Sequence, residues 1–167
     1  MFSLKIIRPK IIEKKDSEDI TISEAIETIY SKVGQVVIIS WNGINIPVFG
    51  SSIGSLIYNI VSMIKLIKLN RNEFTENFLD PSFTATWSFR KRERYIEIKA
   101  TWFAIPYLPD ENVKLSELQR APNLVVVNQK EFVAMWIDLL RLIKTDLETV
   151  GYNSELEGYK ELEDLLK

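Results

Sequence analysis

The two side chains that most often carry small-protein chemistry are missing from this chain: among its 167 residues there is no histidine and no cysteine. Histidine is the one side chain whose unperturbed pKa lies near neutral pH, and the cysteine thiolate is both a nucleophile and a principal ligand of structural zinc. Serine triads, cysteine–histidine dyads, zinc hydrolases and disulfide scaffolds are excluded together. Chemistry would fall to Asp, Glu, Lys, Tyr or Ser, with pKa values retuned by burial. The sequence assigns no catalytic residue, no metal and no cofactor, and the expected class is non-enzymatic.

Four constellations still have a chemical reading. Gly50-Ser51-Ser52-Ile53-Gly54-Ser55 follows a strand pattern and opens a helix, the setting in which backbone amides attract a phosphate or carboxylate. It lacks the lysine of a Walker loop and the spacing of a dinucleotide fingerprint, so it reads as a serine cap with Gly54 permitting close packing. Arg90, Lys91, Arg92 and Arg94 cluster around a hairpin turn, with Tyr95 and Phe103 on the wet face of the same hairpin. They could grip an anion and stack bases, but charged hairpin tips also serve to keep sheet edges soluble.

The segment Asp146 to Lys167 carries seven acids against two bases, a net charge of −5. An acidic helical surface of this kind steers and captures basic proteins, and Glu155, Glu157, Glu161, Glu163 and Asp164 are its candidate partner-binding residues. The paired carboxylates Asp110-Glu111 and Asp16/Glu18/Asp19 read as turn and loop residues, because no apolar pocket accompanies either group to raise one pKa for general-acid work.

The elements that must hold these groups follow from periodicity. Ser3 to Ile12 reads as an N-terminal strand with Pro9 at an edge or bulge, and Thr21 with Glu24 forms a capping box for a helix that Gly34 stops. Asn42-Gly43 between apolar runs specifies a two-residue hairpin with Trp41 opposite Ile44, Ile39 opposite Ile46 and Val37 opposite Val48. A long amphipathic helix over Ser52–Leu69 covers that face. Its polar stripe of Ser55, Asn59, Ser62, Lys65 and Lys68 argues against a membrane span.

A second hairpin spans Phe83 to Phe103 with its turn at Lys91-Arg92-Glu93, followed by an irregular stretch, a turn of helix at Leu115 to Arg120, and a short strand at Leu124 to Val127. Asn128 caps a helix over Gln129–Val150 that Gly151 ends, and Ser154 with Glu157 starts a last helix. Trp41, Trp87, Trp102 and Trp136 all fall on inward faces.

The chain is 46% hydrophobic and 26% charged, with net charge −2, as expected of one globular domain over residues 1–167 rather than a duplex-binding protein. No secretion signal is visible, so a cytoplasmic location is expected. The fold class is α+β: a mainly antiparallel sheet, from the N-terminal strand and two β-hairpins, with two long amphipathic helices on one face and a short C-terminal helix. The leading functional expectation is a small intracellular protein-binding module that neutralises a partner toxin or enzyme by surface occlusion, as immunity proteins do. The alternative is an RNA or single-strand binder using the 90–94 tip, and a carboxylate- or serine-based enzyme is the least favoured. Oligomeric state is not legible.

Overall fold

A computed structural model describes residues 1–8, 10–106 and 115–167 of the chain. In order along the chain these form β1 (Phe2–Ile6), α1 (Ile22–Tyr30), β2 (Gln35–Trp41), β3 (Ile44–Phe49), α2 (Gly50–Lys68), β4 (Glu73–Asp80), β5 (Phe83–Arg92), β6 (Tyr95–Ala104), α3 (Leu115–Arg120), β7 (Leu124–Asn128), α4 (Gln129–Val150) and α5 (Tyr159–Leu166). The class is α+β, but the strands form two antiparallel sheets, β1-β2-β3 and β4-β5-β6-β7, where the sequence predicts one.

The first sheet follows its hairpin signal. Asn42 and Gly43 both take positive φ, at 49° and 87°, and the register pairs Trp41 with Ile44, Ile39 with Ile46 and Val37 with Val48. β1 pairs with β2 over Phe2 to Ile6, so the N-terminal strand is shorter than the predicted Ser3–Ile12. In the second sheet the hairpin turn falls at Glu93-Arg94, later than predicted, with Glu93 at φ 53°.

β4 was not legible, and its inward face explains why. Phe74, Glu76, Phe78 and Asp80 alternate with exposed residues, so two of the four core-facing positions are acids. Glu76 is buried and accepts from Ser62 Oγ at 2.7 Å and Asn59 Nδ2 at 3.2 Å, both from the polar stripe of α2. That stripe therefore faces a strand edge rather than water alone. Inward-pointing charge on an edge strand also discourages pairing with another chain.

The two sheets meet through aromatic side chains. Trp41 of the first sheet lies 5.4 Å, centroid to centroid, from both Trp87 and Trp102 of the second, and Phe2 lies 5.0 Å from Phe132 of α4. All four tryptophans are buried, as their inward positions predict. At the hairpin tip Asn42 Nδ2 donates to the carbonyls of Pro122 at 2.7 Å and Leu124 at 3.1 Å, fastening the first sheet to the approach of β7. α2 is the one helix among the described residues long and apolar enough to cross a membrane, and most of it is buried inside the protein.

Gly54 lets α1 and α2 touch. A Cβ there would lie 2.5 Å from Glu27 Cγ and 2.8 Å from the Ser23 carbonyl oxygen, and Ser23 Oγ donates to the Gly54 carbonyl at 2.8 Å. Alanine would gain about 1 kcal/mol of helix propensity but overpack a contact with fixed backbone, at about 1–3 kcal/mol. Gly54→Ala is therefore expected to lower stability by up to about 2 kcal/mol in urea unfolding. An unchanged or raised midpoint would mean that α1 yields freely.

Candidate functional site

The capping box at the start of α1 forms as its residues predict. Thr21 Oγ1 accepts from the Glu24 N–H at 3.2 Å, and Glu24 Oε2 accepts from the N–H groups of Ile20 at 2.9 Å and Thr21 at 2.8 Å. These backbone donors hold the Glu24 carboxyl below its ordinary pKa and keep it charged.

Beside this helix start runs the segment before α5. Ile22 N–H donates to the Glu157 carbonyl and Glu157 N–H donates to the Ile20 carbonyl, both at 2.9 Å, making a parallel backbone bridge. The predicted Ser154/Glu157 capping box does not form. Gly158 takes the N-cap position of α5 at φ 84°, because the Glu157 backbone is committed to α1. A Cβ on Gly158 would lie 2.8 Å from Tyr58 Cε1 and 3.0 Å from Ile22 Cγ1, so the Tyr58 ring of α2 packs directly on this glycine.

Three segments thus converge on Tyr58, which is 44% exposed. Burial raises its hydroxyl pKa, the neighbouring Thr21 hydroxyl opposes that rise, and the negative charges of Glu157, Glu161 and Glu24 raise it further. Of the five predicted partner-binding acids, the fold brings Glu157 and Glu161 to this site. Glu163 and Asp164 are drawn instead to Lys167, at 3.9 Å and 2.6 Å. Glu155 sits in the exposed connection, where its N–H donates to Asn153 Oδ1 at 2.9 Å.

Sequence reading missed Glu24 and Tyr58 as members of the site. Glu24 reads in the sequence as half of a capping box and Tyr58 carries no signal of its own, and the backbone bridge between Thr21 and Glu157 brings them together. The acidic surface continues from Glu24 and Glu27 into an open groove of about 690 Å³, lined also by Lys14, Lys15, Asp16 and Asp19.

Three tyrosine–carboxylate pairs brace this side of the molecule. Tyr30 Oη donates to Asp146 Oδ2 at 2.7 Å, Tyr159 Oη donates to Glu148 Oε1 at 2.8 Å, and Tyr152 Oη donates to Asp19 while accepting the Asp16 N–H at 3.0 Å. Burial raises the pKa of Asp146, opposed by its Tyr30 bond, while Lys144 and Tyr159 together hold Glu148 low.

The other constellations resolve differently. Arg90 pairs with Glu73 at 2.8 Å and Arg92 with Glu97 at 3.3 Å on the open face of the second sheet, while Lys91 donates to Asn70 Oδ1 at 2.7 Å and Arg94 lies over the Tyr95 ring at 5.1 Å. Two of the four cations are thus matched by acids next to them. Ser52 is not a helix cap, because α2 already begins at Gly50. Its buried hydroxyl donates to Asp80 Oδ1 at 2.9 Å and shares a 2.7 Å bond with Ser82. Asp16 accepts the Glu18 N–H at 3.0 Å as a turn residue should, and Asp110-Glu111 lies outside the described residues.

Fold and site together define an α+β protein with an acidic, tyrosine-centred surface. Comparison of the chain with protein-family models, curated proteins and solved structures finds no match.

Proposed function

We propose that this protein is a binding module that captures a basic partner protein on the acidic face around Tyr58. The observation that carries the reading is the convergence of Glu24 from α1 with Glu157 and Glu161 from the start of α5 on one half-exposed tyrosine of α2. Tyrosine is a favoured interface anchor, and a surrounding ring of one charge speeds encounter with a partner of the opposite charge. Among the described residues none of these three acids has an ion pair, so their charge is available to a partner. The finer reading is an inhibitor or immunity-type protein that covers a basic toxin or enzyme and so blocks it.

The test is affinity capture from the native host with the wild-type protein and with a Glu24→Lys, Glu157→Lys, Glu161→Lys variant. The wild type is expected to retain one basic protein in stoichiometric amount, released by raised salt, and the variant to lose at least about a hundredfold in affinity. Retention of the same protein by both forms, or of none by the wild type, would reject the reading.

A further inference from the structure

We propose that a second site, the groove between α4 and α5, binds a single-chain fatty-acyl carboxylate. The groove has a volume of about 440 Å³, within the range of small-ligand sites. One stripe of α4 lines it: Val133, Ala134, Ile137 and Arg141 recur at helical spacing, and Leu165 and Leu166 of α5 complete the aliphatic wall. At about 1.5 Å per residue, the stripe from Lys130 to Arg141 runs about 16 Å, the length of an extended chain of roughly a dozen carbons.

The charge around this groove is polarised. Gln129 Nε2 donates to the Ile67 carbonyl at 3.5 Å, joining the start of α4 to the last turn of α2 and bringing Lys68 and Lys130 to the same end. Lys68 Nζ donates to the Leu165 carbonyl at 2.7 Å, which holds the ammonium at the groove with two further N–H donors to offer. Lys130 has no ion pair among the described residues. The positive end of the 22-residue α4 and the negative end of the 8-residue α5, whose Leu165 carbonyl Lys68 caps, meet at the same location.

The remaining cations of the groove are already matched. Arg141 pairs with Asp138 at 3.4 Å, and Lys167 pairs with Asp164 at 2.6 Å. Unmatched positive charge therefore lies at one end of an aliphatic trough, in a protein whose net charge is −2. That is the polarity of a one-headed anionic amphiphile. A neutral chain would leave both lysines unused, and a partner helix flanked by acids would meet cations already paired along the rest of the trough.

The experiment is a methyl-resolved NMR titration of the intact protein with dodecanoate, dodecyl maltoside and dodecyltrimethylammonium, each below its micelle concentration. Dodecanoate is expected to shift the methyls of Val133, Ile137, Leu165 and Leu166 saturably, with affinity about tenfold or more above the neutral and cationic chains. Lys130→Glu, at an exposed position, should erase that preference, and Ala134→Trp, also exposed, should fill the trough and abolish binding of dodecanoate. Equal affinity for the three amphiphiles, shifts confined to other methyls, absence of saturable binding, or dodecanoate affinity untouched by Ala134→Trp would each overturn the proposal.

Discussion

Trp87→Ala is expected to remove about 4 kcal/mol of folding stability, against a total of about 5–15 kcal/mol for a domain of this kind. The indole is fully buried and touches aromatic rings from both sheets and from α4: Trp41 at 5.4 Å, Phe78 at 4.9 Å, Trp102 at 5.8 Å and Trp136 at 6.4 Å between centroids. Truncation opens a cavity where aromatic side chains of the two sheets meet. Trp87→Phe should cost only about 1–2 kcal/mol, because the indole N–H makes no hydrogen bond among the described residues and its loss strands no partner. Urea unfolding of the two variants checks the pair. Losses of equal size would place the sheet-to-sheet contact elsewhere.

Alkaline solution is expected to produce the second large effect. In the unfolded chain a tyrosine loses its proton near its ordinary value of 10.0, whereas in the folded protein burial and the Asp19 bond push Tyr152 up to about 12. Burial and the Asp146 bond push Tyr30 higher still. Raised folded-state pKa values mean that this stability is fully present below pH 10 and is lost as pH rises through the folded values. The slope is about 1.4 kcal/mol per pH unit for each tyrosine, so each removes roughly 2–3 kcal/mol between pH 10 and 12. Stability measured by denaturant across that window should fall steeply in the wild type. Tyr152→Phe and Tyr30→Phe should each flatten the slope by about one proton's worth, whatever they cost at neutral pH. Parallel slopes in all three proteins would show that these hydroxyls are not the groups responsible.

The elements written in local signals were the legible ones. The Asn42-Gly43 turn, the Thr21/Glu24 box and the whole of α4 from its Asn128 cap to Gly151 depend on residues a few positions apart, and the chain states them directly. β4 was obscured because Glu76 and Asp80 occupy inward positions, so its alternation of apolar and polar residues is broken by acids whose partners Asn59, Ser62 and Ser52 lie on α2. The division into two sheets was hidden for a related reason. Alternation tells which face of a strand is buried but not which strand lies beside it, and the Phe2–Trp87 and Trp41–Trp87 contacts that join the sheets link residues 85 and 46 positions apart.

The candidate site was half legible. Glu157 and Glu161 could be found by counting charge, since the acids are dense in that segment. Glu163 and Asp164 looked equivalent in the sequence, yet Lys167 lies three and four residues beyond them on the same helix face and takes up their charge. Glu24 and Tyr58 could not be found, because their membership depends on a backbone bridge between segments more than a hundred residues apart. The basic cluster shows the converse. Four cations in five residues look unopposed, and only the strand register reveals Glu73 and Glu97 beside Arg90 and Arg92.

That backbone bridge also imposes an order in time. Glu157 leaves the ribosome 133 residues after Glu24, so the acidic group beside Tyr58 does not exist on any nascent chain that has yet to expose α5. A partner that recognises this surface meets only chains whose synthesis has passed that point, and shortened translation products are invisible to it.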